Sequence, residues 1–232
     1  MKKKWLIFLF LLAAINSKSQ EKMKIVYVYD ALCGWCYGFS PVMTQFQEKY
    51  KDSLDFEVIS GGMITGNRVG PVGEVAPYIS WAYKQVEVTT GVTFGTAFLE
   101  DTLKKGAAIF TSLPPAIALS VFKEMDSGNA VSYASEIQKA IYFDGIEPEN
   151  KSVYGTIAAK FGLDSTDFVS KMDNPVYQEL ALADFKKASE LNVTGFPSIF
   201  LKWEGTYHLL GSGYLPYNEL VRLYLAIKHN LK

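Results

Sequence analysis

The chain has 232 residues, 49% of them apolar, with 23 basic against 24 acidic side chains and two histidines. That is enough apolar material for one large domain, or for one domain carrying an insertion, without cross-links. No basic tract stands beyond the first residues, which argues against nucleic acid or an anionic membrane as a partner.

Lys2, Lys3 and Lys4 precede an apolar run, Trp5 to Ile15, that is too short to span a bilayer as a mature helix. Ser17 and Ser19 supply small residues at −3 and −1 of a cut after Ser19. Residues 1–19 therefore read as a secretory signal, with an uncleaved anchor as the alternative. No cysteine stands at the cut to carry a lipid. Cleavage removes four lysines and no acid, leaving 19 basic against 24 acidic residues, a net charge of −5. The expected location is periplasmic or secreted, with no membrane contact after cleavage. Disulfides form there.

Lys24 to Asp30 (KIVYVYD) is almost continuously apolar, as a strand buried on both faces should be. Beyond it come Cys33-Gly34-Trp35-Cys36, the only cysteines, and then a helical stripe of Phe39, Val42, Met43, Phe46 and Tyr50. Pro41 removes one ladder hydrogen bond from that helix and should kink it. Leu54 to Ser60 alternates as a second strand, so the dithiol lies at the C-terminal edge of a βαβ unit, where parallel sheets gather their sites. Val72 to about Leu191 is mostly helical in pattern. Pro77 opens one helix to Val86, Ser112 with Pro114 and Pro115 another to Met125, and Asn129–Phe143, Ser152–Phe161 and Thr166–Met172 follow. Asn174 as N-cap and Pro175 at the first position start a long helix ending near Asn192. Strand character returns at Pro197 to Trp203, turns at Glu204-Gly205 and comes back from Thr206 to Leu210; Pro216 begins the last helix.

The cysteine pair has three bland readings. As a staple it closes so short a loop that it stabilises by only about 2 kcal/mol. As half of a zinc site it lacks the other half, since His208 and His229 do not stand at ligand spacing. Inert buried thiols fit poorly with CxxC at the head of a helix, where free N–H groups and the helix dipole favour a thiolate. A redox pair remains.

The order βαβ, α, ββα, with CxxC opening the first helix and Pro197 opening a late strand after Thr194-Gly195-Phe196, resembles the thioredoxin fold. Pro41, eight residues after Cys33, matches that family's kinking proline. The helical block between the second strand and the helix before Pro197 is similar to the DsbA-like branch with its FrnE-type members, as is the run Asp30 to Phe39. The implied fold class is α/β, a thioredoxin fold (βαβ-α-ββα) with a large helical insertion. Residues 20–63 and 188–232 would form the thioredoxin-like part and 64–187 the insertion.

The resemblance implies a protein thiol–disulfide oxidoreductase with Cys33 as accessible nucleophile and Cys36 as resolving thiol. It implies a cis Pro197 against the dithiol. Phe196 and Pro197 should form the wall where an extended substrate backbone docks; the loop Gly61-Gly62-Met63 either lies near the same edge or is a simple turn. Trp35, with Tyr37 and Phe39, offers an apolar landing surface or belongs to the core. No cofactor is implied beyond the cysteine pair, with glutathione exchange open. Partners are protein or peptide thiols and disulfides, and a redox partner that recharges the dithiol. Two departures matter. Gly34-Trp35 supplies no histidine between the cysteines, so the couple should be less oxidising than the strongest oxidants. Tyr27 stands where thioredoxins bury a proton-shuttling acid; the nearest acid is Asp30, a candidate for proton transfer or a simple strand-end cap. The rival readings are a non-catalytic docking protein with a structural bridge, and a glutathione-linked isomerase or transferase of the same fold.

Overall fold

The computed structural model describes residues 22–231, so the expected signal segment lies outside the described residues. The chain forms β1 (Lys24–Tyr29), α1 (Gly34–Tyr50), β2 (Asp55–Ser60), β3 (Gly70–Pro71), α2 (Ala76–Thr90), β4 (Ile109–Phe110) and α3 (Leu113–Asp126). It continues with α4 (Ala130–Tyr142), α5 (Lys151–Ala159), α6 (Ser165–Met172), α7 (Pro175–Glu190), β5 (Ser198–Trp203), β6 (Thr206–Ser212) and α8 (Tyr217–Asn230).

The central sheet has the order β2-β1-β5-β6. β1 pairs parallel with β2 (Tyr27 opposite Val58) and antiparallel with β5 (Tyr27 opposite Ile199). Its apolar run is explained by what covers each face. Ile25, Tyr27 and Tyr29 point into the larger core with α1 and the helical block, while Val26 and Val28 pack with Ile59, Phe200 and Ala188 on the α7 side. β6 extends to Ser212, two residues past the expected end, and its pairing with β5 is irregular between Ile199 and Phe200.

In α1 the stripe of Phe39, Met43 and Phe46 is fully buried. Pro41 sits inside the helix and leaves the Tyr37 carbonyl without its ladder donor; the Ser40 hydroxyl donates to that oxygen at 2.9 Å instead. Helix α2 runs to Thr90, one turn beyond the expected Val86, and Gly91 in the left-handed region stops it.

The segment between β2 and β5 is not helical throughout. β3 and β4 form a two-stranded antiparallel ladder, and Ala97–Leu103 is a π-helical turn. Two residues per strand are too few for alternation to register in the sequence. The block shares one continuous core with the sheet: Phe122 stacks on Tyr133 at 3.9 Å, and both belong to the same buried cluster as Ile25 and Cys36. Helix α7 crosses the expected boundary between residues 187 and 188. On it, Asp184 accepts from the Ser60 N–H at 3.1 Å and from Lys123 of α3 at 2.7 Å; Lys123 also donates to the Val58 carbonyl. One carboxylate thus ties α3 and α7 to the end of β2.

Candidate active site

Strand β1 ends at Tyr29, and the chain turns through Asp30, Ala31 and Leu32 before α1 begins. Cys33 is the N-cap of α1. It has extended backbone, and its sulfur does what a serine or aspartate oxygen usually does there, accepting the Cys36 N–H at 3.3 Å. The local sequence therefore aims the helix's unpaired N–H groups at this sulfur. Across the site, the Cys33 thiol donates to the Phe196 carbonyl at 3.5 Å, and the Phe196–Pro197 peptide is cis. Both cysteines are free thiols.

Burial separates the two sulfurs less than expected. Cys33 is 7% exposed and Cys36 0%. Cys33 is less accessible than a bare helix head would leave it, because the insertion covers the dithiol. Cys36 is sealed, and burial pushes its thiol up, with the neighbouring Cys33 and the Asp30 charge acting in the same direction. Cys33 opens onto a cavity of about 430 Å³ between Trp35, the α2 residues Tyr83 and Val86, Phe94 and Phe196. A second cavity of about 430 Å³ lies on the far side of Phe196, against Phe185 and Ser189 of α7; Arg68 lines both.

The expected landing surface is corrected in part. Trp35 lines the cavity, but Tyr37 is buried and Phe39 entirely so. The Tyr37 hydroxyl donates to the Thr93 carbonyl at 2.9 Å and its ring meets Phe94 and Tyr142, so the insertion turns this side of α1 into core. The loop Gly61-Gly62-Met63 does reach the site. A Cβ on Gly61 would overlap the Phe196 ring, and Gly62, at φ 68°, lies against Phe185.

Asp30 is buried beneath this loop. Its carboxylate accepts from the Leu32 N–H at 2.9 Å, the Met63 N–H at 2.7 Å and the Ser112 hydroxyl at 3.0 Å. Burial pushes its carboxyl up, and those three hydrogen bonds oppose the shift. The Asp30 carbonyl accepts from the Cys33 N–H at 3.1 Å and from the Gln138 amide at 3.3 Å. Asp30 is thus a cap for the β1 end and also a clamp between the dithiol loop and the insertion. Ser112 was legible only as a helix start. Its hydroxyl caps nothing on α3; it donates to Asp30 and accepts the Ile64 N–H at 2.9 Å.

Behind the sulfurs, the hydroxyls of Tyr27 and Tyr29 and the Gln138 carbonyl oxygen are buried without a hydrogen-bond partner among the described residues. Burial and then the Cys36 charge push the Tyr27 phenol far up, so it stays protonated. Among the described residues, no group of three or more His, Cys, Asp and Glu side chains is placed to hold a metal ion.

A sheet of this order with a dithiol capping its first helix against a cis proline loop defines the thioredoxin-fold oxidoreductases. The family model for DSBA-like thioredoxin domains matches residues 24–220, and the chain belongs to that family. Among solved structures it is similar to a protein described as a disulfide isomerase from Nitrosomonas europaea, with a TM-score of 0.80 and 23% identity over 90% of this chain and 99% of that one. It is also similar to the cytosolic disulfide reductase DsbM from Pseudomonas aeruginosa, with a TM-score of 0.74 and 26% identity over 90% of this chain and 100% of that one. A structure of DsbM with GSH matches at 27% identity and a TM-score of 0.72, over 88% of this chain and 99% of that one. No curated protein matches the sequence. Membership of the family, with the disulfide reductase DsbM among the neighbours, makes this a thiol–disulfide oxidoreductase of the DSBA-like kind, a fold suited to thiol and disulfide substrates.

Proposed function

We propose that this is an exported, FrnE-type protein thiol–disulfide oxidoreductase in which Cys33 attacks and Cys36 resolves. The observation that carries the reading is the position of the Cys33 sulfur, between the Cys36 N–H and the Phe196 carbonyl at the mouth of a cavity. The Cys33 thiolate forms a bond to one sulfur of a substrate disulfide, and the electron pair of the broken S–S bond leaves on the other sulfur, which takes a proton from solvent. Cys36 then loses its proton, attacks Cys33 and releases the second substrate thiolate. The protein ends as the Cys33–Cys36 disulfide and the substrate reduced by two electrons; the reverse sequence oxidises. Phe196 and Pro197 supply the wall for the substrate backbone, with Trp35 beside it.

The signal pattern in residues 1–19 supports a periplasmic or secreted location. The missing histidine in Gly34-Trp35 supports a couple less oxidising than the strongest oxidants. The likeness to DsbM, a reductase also seen with GSH, favours a second direction in which glutathione recharges the dithiol and substrate disulfides are reduced. Equilibration with glutathione buffers separates the directions, because a potential near −200 mV suits oxidation and isomerisation, whereas one near −270 mV suits reduction. Cys33→Ser should abolish turnover of scrambled ribonuclease, and Cys36→Ser should accumulate mixed disulfides through Cys33. Turnover surviving in Cys33→Ser overturns the reading.

A further inference from the structure

The cavities on the two sides of Phe196 share one wall: Met63, Arg68, Thr194 and Phe196 line both. That wall reaches the reactive sulfur, because the Phe196 carbonyl accepts the Cys33 thiol at 3.5 Å. The arm toward α2 is bounded by apolar side chains such as Val75, Ile79 and Val86, while the arm toward α7 adds Ser189 and Asn192. Among the described residues, Arg68 is the one charged side chain lining either arm. With no acid beside it, its field runs along weakly polar walls, an arrangement that concentrates anions.

The backbone of Arg68 is held in place relative to the dithiol. The Asp30 carboxylate accepts the Met63 N–H at 2.7 Å. Ile64 is paired both ways with Ser112: its N–H donates to the hydroxyl and its carbonyl accepts the Ser112 N–H, each at 2.9 Å. Arg68 then closes a short 3-10 turn, its N–H donating to the Thr65 carbonyl at 3.2 Å. Its side chain is exposed and, among the described residues, has neither a hydrogen bond nor an ion pair. Only two of the 23 basic residues are arginines, and the other, Arg222, sets its fork on Glu219 at 2.8 and 2.6 Å. A lysine would serve solubility alone, whereas a planar fork matches a carboxylate through two bonds.

We propose that Arg68 binds a carboxylate carried beside the reacting cysteine of the substrate, so that the site prefers acidic segments to neutral or basic ones. The inference rests on Cys33 being the nucleophile and names what that site selects. Arg68 keeps its charge and takes no part in the bond changes of the exchange. A protein segment with Asp or Glu next to its cysteine carries this chemistry. So does glutathione, whose cysteine stands between two carboxylate-bearing residues.

The test mixes reduced protein, in single turnover, with symmetrical disulfides of blocked peptides that differ only in Glu, Gln or Lys next to the cysteine. Each rate is divided by that for dithiothreitol, which removes the peptide's own reactivity. The Glu peptide should react about tenfold faster than the Gln peptide at low salt, and the Lys peptide should be slowest. Added salt should shrink the preference, a readout on the unsubstituted protein. Arg68→Gln should level the Glu and Gln peptides, Arg68→Lys should keep part of the preference, and Arg68→Glu should favour the Lys peptide. These are ratios within one preparation, so partial unfolding does not imitate them. A second arm compares oxidised glutathione with the disulfide of its ester, in which the carboxylates are masked. Discrimination among the peptides assigns the carboxylate to a polypeptide; discrimination in the second arm alone assigns it to glutathione. Equal normalised rates in both arms, or a preference unchanged in Arg68→Gln, overturn the role of Arg68. Turnover surviving in Cys33→Ser overturns the reading beneath it.

Discussion

The thiol of Cys33 and the carbonyl of Phe196 meet at 3.5 Å although 163 positions separate them in the chain. This contact joins the two halves of the thioredoxin fold at the point where the chemistry is proposed to occur. Its geometry is set by neighbours that never touch sulfur.

Gly61 is one of them. A methyl group there would occupy the space of the Phe196 ring, so Gly61→Ala must push that ring and its carbonyl away from Cys33. Turnover of a peptide disulfide should fall about tenfold, in line with the cost of a small misplacement of a positioning group. Stopped-flow kinetics with a fluorogenic peptide checks this, and a rate equal to wild type would show that the Phe196 ring can move freely.

Asp30 makes a second prediction, about stability and pH. Asn at this position would turn an N–H toward the Met63 N–H, which now finds an acceptor at 2.7 Å, and should cost about 1–3 kcal/mol. Because burial raises the carboxyl above 3.8, the folded state holds that proton more tightly than the unfolded chain. The group's contribution is therefore complete below the unfolded value and declines as pH rises through the folded one. Asp30→Asn lacks that decline. The stability gap between wild type and variant should accordingly be widest in acid and narrow toward neutral pH, as urea midpoints across the range will report.

Asp184 offers a test of the join between insertion and sheet. Its side chain is 14% exposed and that of Lys123 25%, so the pair is partly wet. Lys123 would keep the Val58 carbonyl after Asp184→Ala, which holds the loss below that of a fully buried charge pair. The Ser60 N–H would lose its acceptor as well. A destabilisation of about 2 kcal/mol is expected in chemical denaturation. Turnover per folded molecule should be preserved, since the pair lies away from the sulfurs.

The sequence made β1, α1 and the dithiol plain because each is written in consecutive residues: an apolar run, a helical stripe, a spacing. Asn174 likewise caps α7 as its type suggests, accepting the Val176 N–H at 3.1 Å. What stayed hidden depends on partners distant in the chain. The Ser112 hydroxyl meets Asp30 from 82 positions away, and nothing local distinguishes it from a helix cap. Tyr142 reads as one more apolar-face residue of an amphipathic helix until Cys33 is seen in its cavity. For Tyr37 and Phe39 the sequence left landing surface and core open, and distant partners decide for the core: Phe94 and Tyr142 cover Tyr37 from the insertion, and Phe39 packs on Tyr27 and Tyr214.

The central strand also carries a consequence for how the molecule comes into being. β2 follows β1 closely in the chain, but the partner on the other edge of β1 is β5, which comes only after the entire insertion. Until then KIVYVY presents an unpaired, apolar strand edge, the kind that recruits strands from other chains. Ring closure over so long an intervening segment is slow. Newly made protein should therefore pass through an aggregation-prone interval that ends only when Ser198–Trp203 docks, and shortening the insertion would shorten the wait.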